Sequence, residues 1–230
     1  MMMRLNFLNN VCSKILLSCL LFAVVPLTGF LYQIQLNESD QRKNVKQNLL
    51  QALDLAGGKV DNWADINLRN TRFLSNLEAF RSMKAEAQVP LLIAAKESLD
   101  WISLIFVKNL NGDAVARSDG KLLQNYSERE YFKQIMSGQK MGQQVLIGKL
   151  APVPLHCFAI PINKSKVGEQ RVGILTQCST LLSISDYIKS SSFGQSGYTF
   201  LVDNKKRLIA TGDNKFKLAQ NLQDFSSHPA

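Results

Sequence analysis

Residues Ile15–Tyr32, ILLSCLLFAVVPLTGFLY, contain no charged side chain, and this run constrains the chain more than any other stretch. A helix needs roughly 17–25 apolar residues to cross a bilayer, where its backbone must satisfy its own hydrogen bonds. Arg4 and Lys14 precede the run, as basic residues do in both signal peptides and signal anchors. The apolar stretch continues past Pro26 to Tyr32, and no A-x-A site follows it, which favours an uncleaved anchor. Arg42, Lys43 and Lys46 lie just beyond, so the positive-inside asymmetry is shallow. The anchor reading puts residues 1–14 in the cytoplasm and 15–33 across the inner membrane in a single pass. Everything later is then extracytoplasmic, or periplasmic.

Beyond the anchor, apolar residues recur at Val45, Leu49, Leu53, Ala56, Val60 and Trp63, then at Phe73 or Leu74, Leu77 and Phe80. Steps of three and four predict one long helix over 34–84, with Gly57-Gly58 as a place where it would bend. Such a helix can act as a stalk and homodimer seam on one face and pack on its own domain with another. Pro90 predicts the opening of a shorter helix that runs to about Asp100. The pattern then becomes β. WISLIFVKN and GDAVARS read as a hairpin turned at Leu110-Asn111-Gly112, followed by QQVLIGK, PLHCFAIPI and QRVGILTQC. Between them lies a short helix closed by Gly138. Residues 179–190 read as a further helix, and GYTFLVD-NKKRLIAT as a second hairpin. The fold class is therefore α+β: a transmembrane helix, a long stalk helix, a five-stranded antiparallel sheet with one face on that helix, and the start of a second module.

The formal charge of +9 invites a nucleic-acid reading, but the basic residues are scattered singly and no nucleic-acid-binding signature is present. No G-x-S-x-G, Walker loop or H-E-x-x-H occurs, so neither an enzyme nor a cofactor is expected. Of the four cysteines, Cys12 and Cys19 fall in or beside the anchor, and Cys157 and Cys178 in the soluble part. There is no C-x-x-C, and His156 and His228 are too far apart for a zinc signature. Outside the cytoplasm Cys157 and Cys178 could pair; sequence alone leaves that open.

One octapeptide, NYSEREYF at 125–132, carries local chemistry. Ser127 and Glu130 have capping-box spacing, which predicts a helix beginning at Ser127 with Arg129 in its first turn. An arginine beside unsatisfied helical N–H groups is either a solvated surface residue or part of an anion site.

The blocks VKNLNGDAVARSDGKLLQNYSEREYFKQIMSG, LIGKLAPVPLHCFAIPI, VGILTQCSTLLSIS and GQSGYTFLVDNKKRLIATG resemble the double Cache extracytoplasmic sensor domains of bacterial chemoreceptors, sensor histidine kinases and cyclases, in the cyanobacterial manner. The resemblance runs from about Asp40 to the C-terminus. It implies two PAS-like modules, a membrane-distal one at 85–190 including a connecting helix and a partial proximal one at 191–230. It further implies transmembrane signalling, in chemotaxis or kinase input, driven by a small-molecule ligand. In amino-acid-sensing members an arginine matching Arg129 binds the ligand carboxylate. Aromatics matching Tyr131 and Phe132 wall the site, Tyr131 standing where those members carry tryptophan. Tyr126, Arg117 and Asp119 are expected as secondary contacts at the cavity mouth. Cys178 stands where an ammonium-binding acid is expected, and as a free thiol it would leave that place without an anion. The ligand implied is a small organic acid, or an amino-acid-like molecule whose amine is met elsewhere, for instance by Asp119. The competing reading is a truncated, membrane-tethered interaction protein with no signalling output.

Overall fold

The computed structural model describes residues 11–165, 170–188, 199–211 and 222–227, with side chains from residue 14 onward. Two compact units divide it, Met1–Gln51 and Ala52–Ala230. His228, part of the 163–169 connector, the last two residues of the 179–190 helix and the opening of the second hairpin lie outside the described residues.

Helix α1 (Val11–Ser75) contains the whole apolar run, with Pro26 inside it. Its most apolar 18-residue window has a mean hydropathy of 2.3 with none of it buried, so by length and composition it can cross a membrane. The Ser18 and Thr28 hydroxyls within the run are satisfied locally, donating to the Ile15 and Val25 carbonyls, both at 2.9 Å. Gly57-Gly58 does not interrupt α1. Two glycines cost about 2 kcal/mol of propensity, which long helical flanks and packing of the neighbouring turns can absorb. The apolar seam divides in use. Val45, Leu49 and Leu53 are exposed, whereas Ala56, Trp63 and Leu74 are buried and Phe73 faces out.

After α1 come a single turn, α2 (Glu78–Arg81), and α3 (Ala85–Glu97). Pro90 lies inside α3 and does not open it. The carbonyl it deprives, on Glu86, is at the exposed start of the helix, where water can serve it.

The sheet is antiparallel throughout, in the order β2-β1-β5-β4-β3. Its strands are β1 (Ile102–Lys108), β2 (Ala114–Arg117), β3 (Gly142–Ile147), β4 (Pro154–Asn163) and β5 (Arg171–Thr180), with α4 (Glu130–Met136) between β2 and β3. The last strand returns to the centre beside the first. Alternation along each strand sorts the core into two faces. Ile105, Val107, Leu175 and Ile162 pack with Leu74, Phe80 and Leu92 of the helices. Phe106, Ile174, Cys178, Cys157, Ala159 and Leu155 face the other way, under Tyr131, Phe132 and Ile135 of α4. Both faces are covered, which explains why β4 and β5 read as nearly continuous apolar runs.

The helix-side face is joined to α1 by a buried polar cluster. Asn67 accepts from the Trp101 indole at 3.1 Å and from Gln177 of β5, and Asn70 donates to Gln177 Oε1 at 3.0 Å. Trp101 therefore belongs to this seam, with its ring edge on Tyr187 at 5.7 Å.

Helix α5 (Leu181–Ile188) follows β5 directly, the Ser183 amide donating to the Thr180 hydroxyl at 3.2 Å as an N-cap. It packs on a two-stranded hairpin, β6 (Phe200–Val202) and β7 (Leu208–Thr211). Arg207 of the hairpin donates to the Val145 carbonyl of β3 at 3.1 Å.

Candidate functional site

Helix α4 starts three residues later than its sequence predicts. Arg129 is its N-cap, and no side chain caps it. The Ser127 hydroxyl and the Ser127 amide both donate to Asn125 Oδ1, at 2.6 and 2.9 Å, so the amide that a capping box would give the Glu130 side chain is already taken. The Glu130 amide is taken by Gln144 Oε1 at 2.9 Å, so the first turn does not present a free row of N–H groups. Arg129 therefore stands at the edge of a polar loop. Two glycines seat the helix. Gly138, at φ +104°, closes it in a conformation that suits glycine. A Cβ on Gly142 would lie 2.2 Å from the Tyr131 carbonyl, so only glycine lets β3 come this close to α4.

Under α4 and the 118–128 loop lies a cavity of about 290 Å³. Its floor and walls include Leu104, Phe106, Tyr131, Leu146, Leu155 and Val153. Cys157 and Cys178 complete the floor. They are directly opposed in the β4–β5 register with Cα atoms 4.1 Å apart, and they form a disulfide. Cys178 is therefore not a free thiol. Adjacent antiparallel strands bring two facing residues within bonding reach, a relation that spacing along the chain does not display. A disulfide sulfur, like a thiol, offers an ammonium group no charged acceptor.

Polar groups converge on this apolar floor. Arg117, at the end of β2, is buried, and each of its three guanidinium nitrogens has a close partner. It donates to both carboxylate oxygens of Asp119, at 2.8 and 2.7 Å, and to the Tyr126 hydroxyl at 2.6 Å. Tyr126 in turn packs on Phe106 with ring centroids 5.0 Å apart. Partial burial disfavours the Asp119 charge, but the Arg117 hydrogen bonds and charge outweigh it and hold that carboxyl below its usual range. Asp119 is thus already paired within the protein.

Arg129 is held differently. Its contacts are long, Nη2 to the Ile147 carbonyl at 3.4 Å and Nε to a Glu128 oxygen at 3.5 Å. A guanidinium has five N–H donors, so most of its capacity is unspent. Lys149, Lys121 and Lys96 also line the cavity. Lys149 donates to the Asn125 carbonyl at 2.8 Å and lies 3.0 Å from Glu128. Behind the aromatic wall, the fully buried Lys108 donates to the Thr176 hydroxyl and stacks over Phe106 at 4.2 Å and Tyr131 at 4.7 Å. Burial, and then the Arg117 charge, pull the Lys108 pKa well below its ordinary value. The lining has a clear excess of positive charge over an apolar base, an arrangement suited to a small anion with an apolar body.

Of the seven residues the sequence points to, Arg129, Tyr131, Tyr126, Arg117, Asp119 and Cys178 all line this cavity. Phe132 packs in the same core cluster without lining it. Lys149 and Cys157 go unforeseen. Lys149 follows β3 in a loop and belongs to no spacing pattern, and Cys157 was legible only as a possible disulfide partner of Cys178, not as a cavity residue. Among the described residues, no three His, Cys, Asp or Glu side chains are placed to hold a metal ion. A second recess, of about 450 Å³ between β3 and the β6–β7 hairpin, is lined by Gln143, Gln144, His156, Asp203 and Arg207. Arg207 there is engaged by Asp203 at 2.8 Å.

No family model matches the chain. It is 24% identical over 225 residues to methyl-accepting chemotaxis protein McpA of Pseudomonas putida, which is 96% of this chain and 33% of that protein. It is 22% identical over 185 residues to protein IcfG of Synechocystis sp., covering 80% and 29% respectively. The chain thus spans about a third of the length of the curated relatives it matches. Among solved structures, the sensor domain of the Vibrio cholerae histidine kinase DctB superposes with a TM-score of 0.62 at 14% identity, over 76% of this chain and 69% of that one. The ligand-binding domain of the Campylobacter jejuni chemoreceptor Tlp3 with L-valine gives 0.56 at 15%, over 72% and 70%. That of Pseudomonas fluorescens chemoreceptor CtaA with L-isoleucine gives 0.57 at 12%, over 70% and 66%. The fold is that of the Cache sensor domains of chemoreceptors and histidine kinases.

Proposed function

We propose that the chain is the sensing part of a membrane-anchored receptor, and that the cavity under α4 binds a small metabolite through its carboxylate. The observation that carries this is the contrast between two arginines in one cavity. Arg117 is spent on Asp119 and Tyr126, whereas Arg129 has only contacts of 3.4 and 3.5 Å over an apolar floor. A planar guanidinium with free donors in a walled site recognises a carboxylate bidentately. Tlp3 and CtaA were solved with L-valine and L-isoleucine, ligands that each carry a carboxylate, an apolar side chain and an ammonium. This cavity has partners for the first two. For the third, the one lining carboxylate among the described residues, Asp119, is already paired, so plain short acids fit better than amino acids.

Residues 15–33 anchor the chain in the inner membrane, with 85–190 as the distal module and 191–230 as the beginning of a proximal one. The Cys157–Cys178 disulfide supports an oxidising, extracytoplasmic location. The exposed Val45, Leu49 and Leu53 offer a second copy a seam at coiled-coil spacing. Binding would be signalled across the membrane through α1.

Calorimetric titration of the full chain in lipid nanodiscs, against short carboxylic acids and the matching amino acids, tests the ligand class. Acids should bind more tightly. Arg129→Ala should weaken acid binding by about one to two decades, since a charge-assisted hydrogen bond is worth roughly 1.5–3 kcal/mol. Arg129→Lys should also weaken it, because an ammonium lacks the fork. Unchanged affinity in Arg129→Ala would remove the arginine from the site, and a wild-type preference for amino acids would refute the acid-selective reading.

A further inference from the structure

The two carboxylates beside the cavity are held in opposite ways. Asp119 and Arg117 are a buried bidentate pair, their side chains 17% and 3% exposed. Glu128 lies on the loop before α4 with a half-exposed side chain, and one of its oxygens, Oε1, is shared by two cations, Arg129 Nε at 3.5 Å and Lys149 Nζ at 3.0 Å. Both cations line the cavity; Glu128 does not. Two cavity-lining cations thus converge on one carboxylate, the chemical group that the cavity is suited to receive.

The geometry points to Arg129 and Lys149 as a two-cation subsite for one ligand carboxylate, with Glu128 as an intramolecular occupant that the ligand displaces. This rests on the carboxylate reading of the cavity and adds Lys149 and Glu128 to it. Displacement is cheap on energetic grounds. A half-exposed ion pair adds little to stability, and the released carboxylate can turn into water. Lys149 stays in place when Glu128 leaves, because it also donates to the Asn125 carbonyl at 2.8 Å and lies 5.3 Å from the Tyr126 ring centroid. The Arg117–Asp119 pair cannot play this part, since breaking it would leave a buried charge unpaired. Glu128 also bears on specificity. It keeps the two cations partly neutralised in the empty protein, so only a group with comparable charge, a carboxylate or similar anion, competes for them, whereas neutral polar molecules do not.

The test is a double-mutant cycle on the full chain in nanodiscs, with propionate as the calorimetric probe. Glu128→Gln keeps the shape and removes the charge. It should tighten propionate binding by about 2–5-fold, the affinity equivalent of a half-exposed pair, and Glu128→Ala should do the same. Lys149→Gln should weaken propionate by roughly tenfold, and in that background Glu128→Gln should lose most of its gain. Unchanged or weaker binding in both Glu128 variants, with Arg129→Ala still impaired, would overturn the displacement while leaving the carboxylate reading intact. If propionate binds neither wild type nor Glu128→Gln, or if Arg129→Ala binds it normally, both fail together.

Discussion

Reducing the Cys157–Cys178 bridge should destabilise the soluble part of the chain by an amount the topology fixes. The two cysteines are 21 residues apart and directly opposed in the sheet. Cross-linking removes loop-closure entropy from the unfolded ensemble, and for a loop of this length the chain-entropy relation gives about 3 kcal/mol at 25 °C. For a domain of this size, that corresponds to a fall in Tm on the order of 10 °C. The native sheet should survive, because both residues lie within strands whose ladder is complete without the bond. The assay is urea unfolding of the full chain in detergent, with and without a phosphine reductant, followed by tryptophan fluorescence. Trp63 and Trp101 both report on the helix-side face, away from the sulfurs. The midpoint should fall on reduction while the native signal is retained, and the Cys157→Ala/Cys178→Ala variant should resemble the reduced protein and ignore reductant. Thiol titration of the unfolded, unreduced chain should find two of the four cysteines reactive. Four reactive thiols, or coincident midpoints, would refute the reasoning.

Acidification offers a second check. Burial lowers the His156 pKa to about 4, against 6.5 for the free side chain. Between those values the unfolded chain binds more protons than the folded one, so stability rises with pH across pH 4–6.5 and is lost on acidification through it. The full effect is at most about 3 kcal/mol; His156→Phe should flatten that part of the curve in pH-dependent urea melts, and an unchanged slope would exclude His156 as its source. Gly142→Ala should also be costly, because the new Cβ would meet the Tyr131 carbonyl at 2.2 Å. Thermal melts should show a loss of about 1–3 kcal/mol, in the range of overpacked cores, and a neutral result would mean that α4 can lift off β3 without penalty.

The framework was readable in the sequence because its signals are periodic. The uncharged run at 15–32, the alternation in ISLIFVK and the turn residues at 110–112 each follow from local geometry, and the strands occupy nearly the predicted spans. Where the reading fails, the groups that a local pattern would use have found other partners or other packing. Ser127 and Glu130 have capping-box spacing, yet Asn125 and Gln144 take the groups that the box would have used. Gly57-Gly58 marks a bend for an isolated helix, and α1 continues uninterrupted through it into the packed stretch beyond Ala56. The six cavity residues were identified through family resemblance, Arg129 and Tyr131 from one short motif and the other four from the fold the resemblance implies. Lys149 and Glu128 became visible only once β3 and the loop before α4 were placed beside each other. Lys108 was invisible for a similar reason: a lysine at a strand end reads as solvated until Tyr131 closes over it.

Strand β5 has a mechanical consequence. Gln177, 1% exposed, faces α1 and engages Asn67 and Asn70, while the next residue, Cys178, faces the cavity and forms part of its floor. For a helix to glide along a sheet like a piston, the contact between them must be smooth and apolar. Here the contact is latched. Moving α1 past β5 by a single residue, about 1.5 Å, would strand the amides of Asn67 and Gln177 at about 1–3 kcal/mol each. Any displacement of β5 along α1 must therefore first break the hydrogen bonds that tie Gln177 to residues 67–71, on the strand whose next residue floors the cavity.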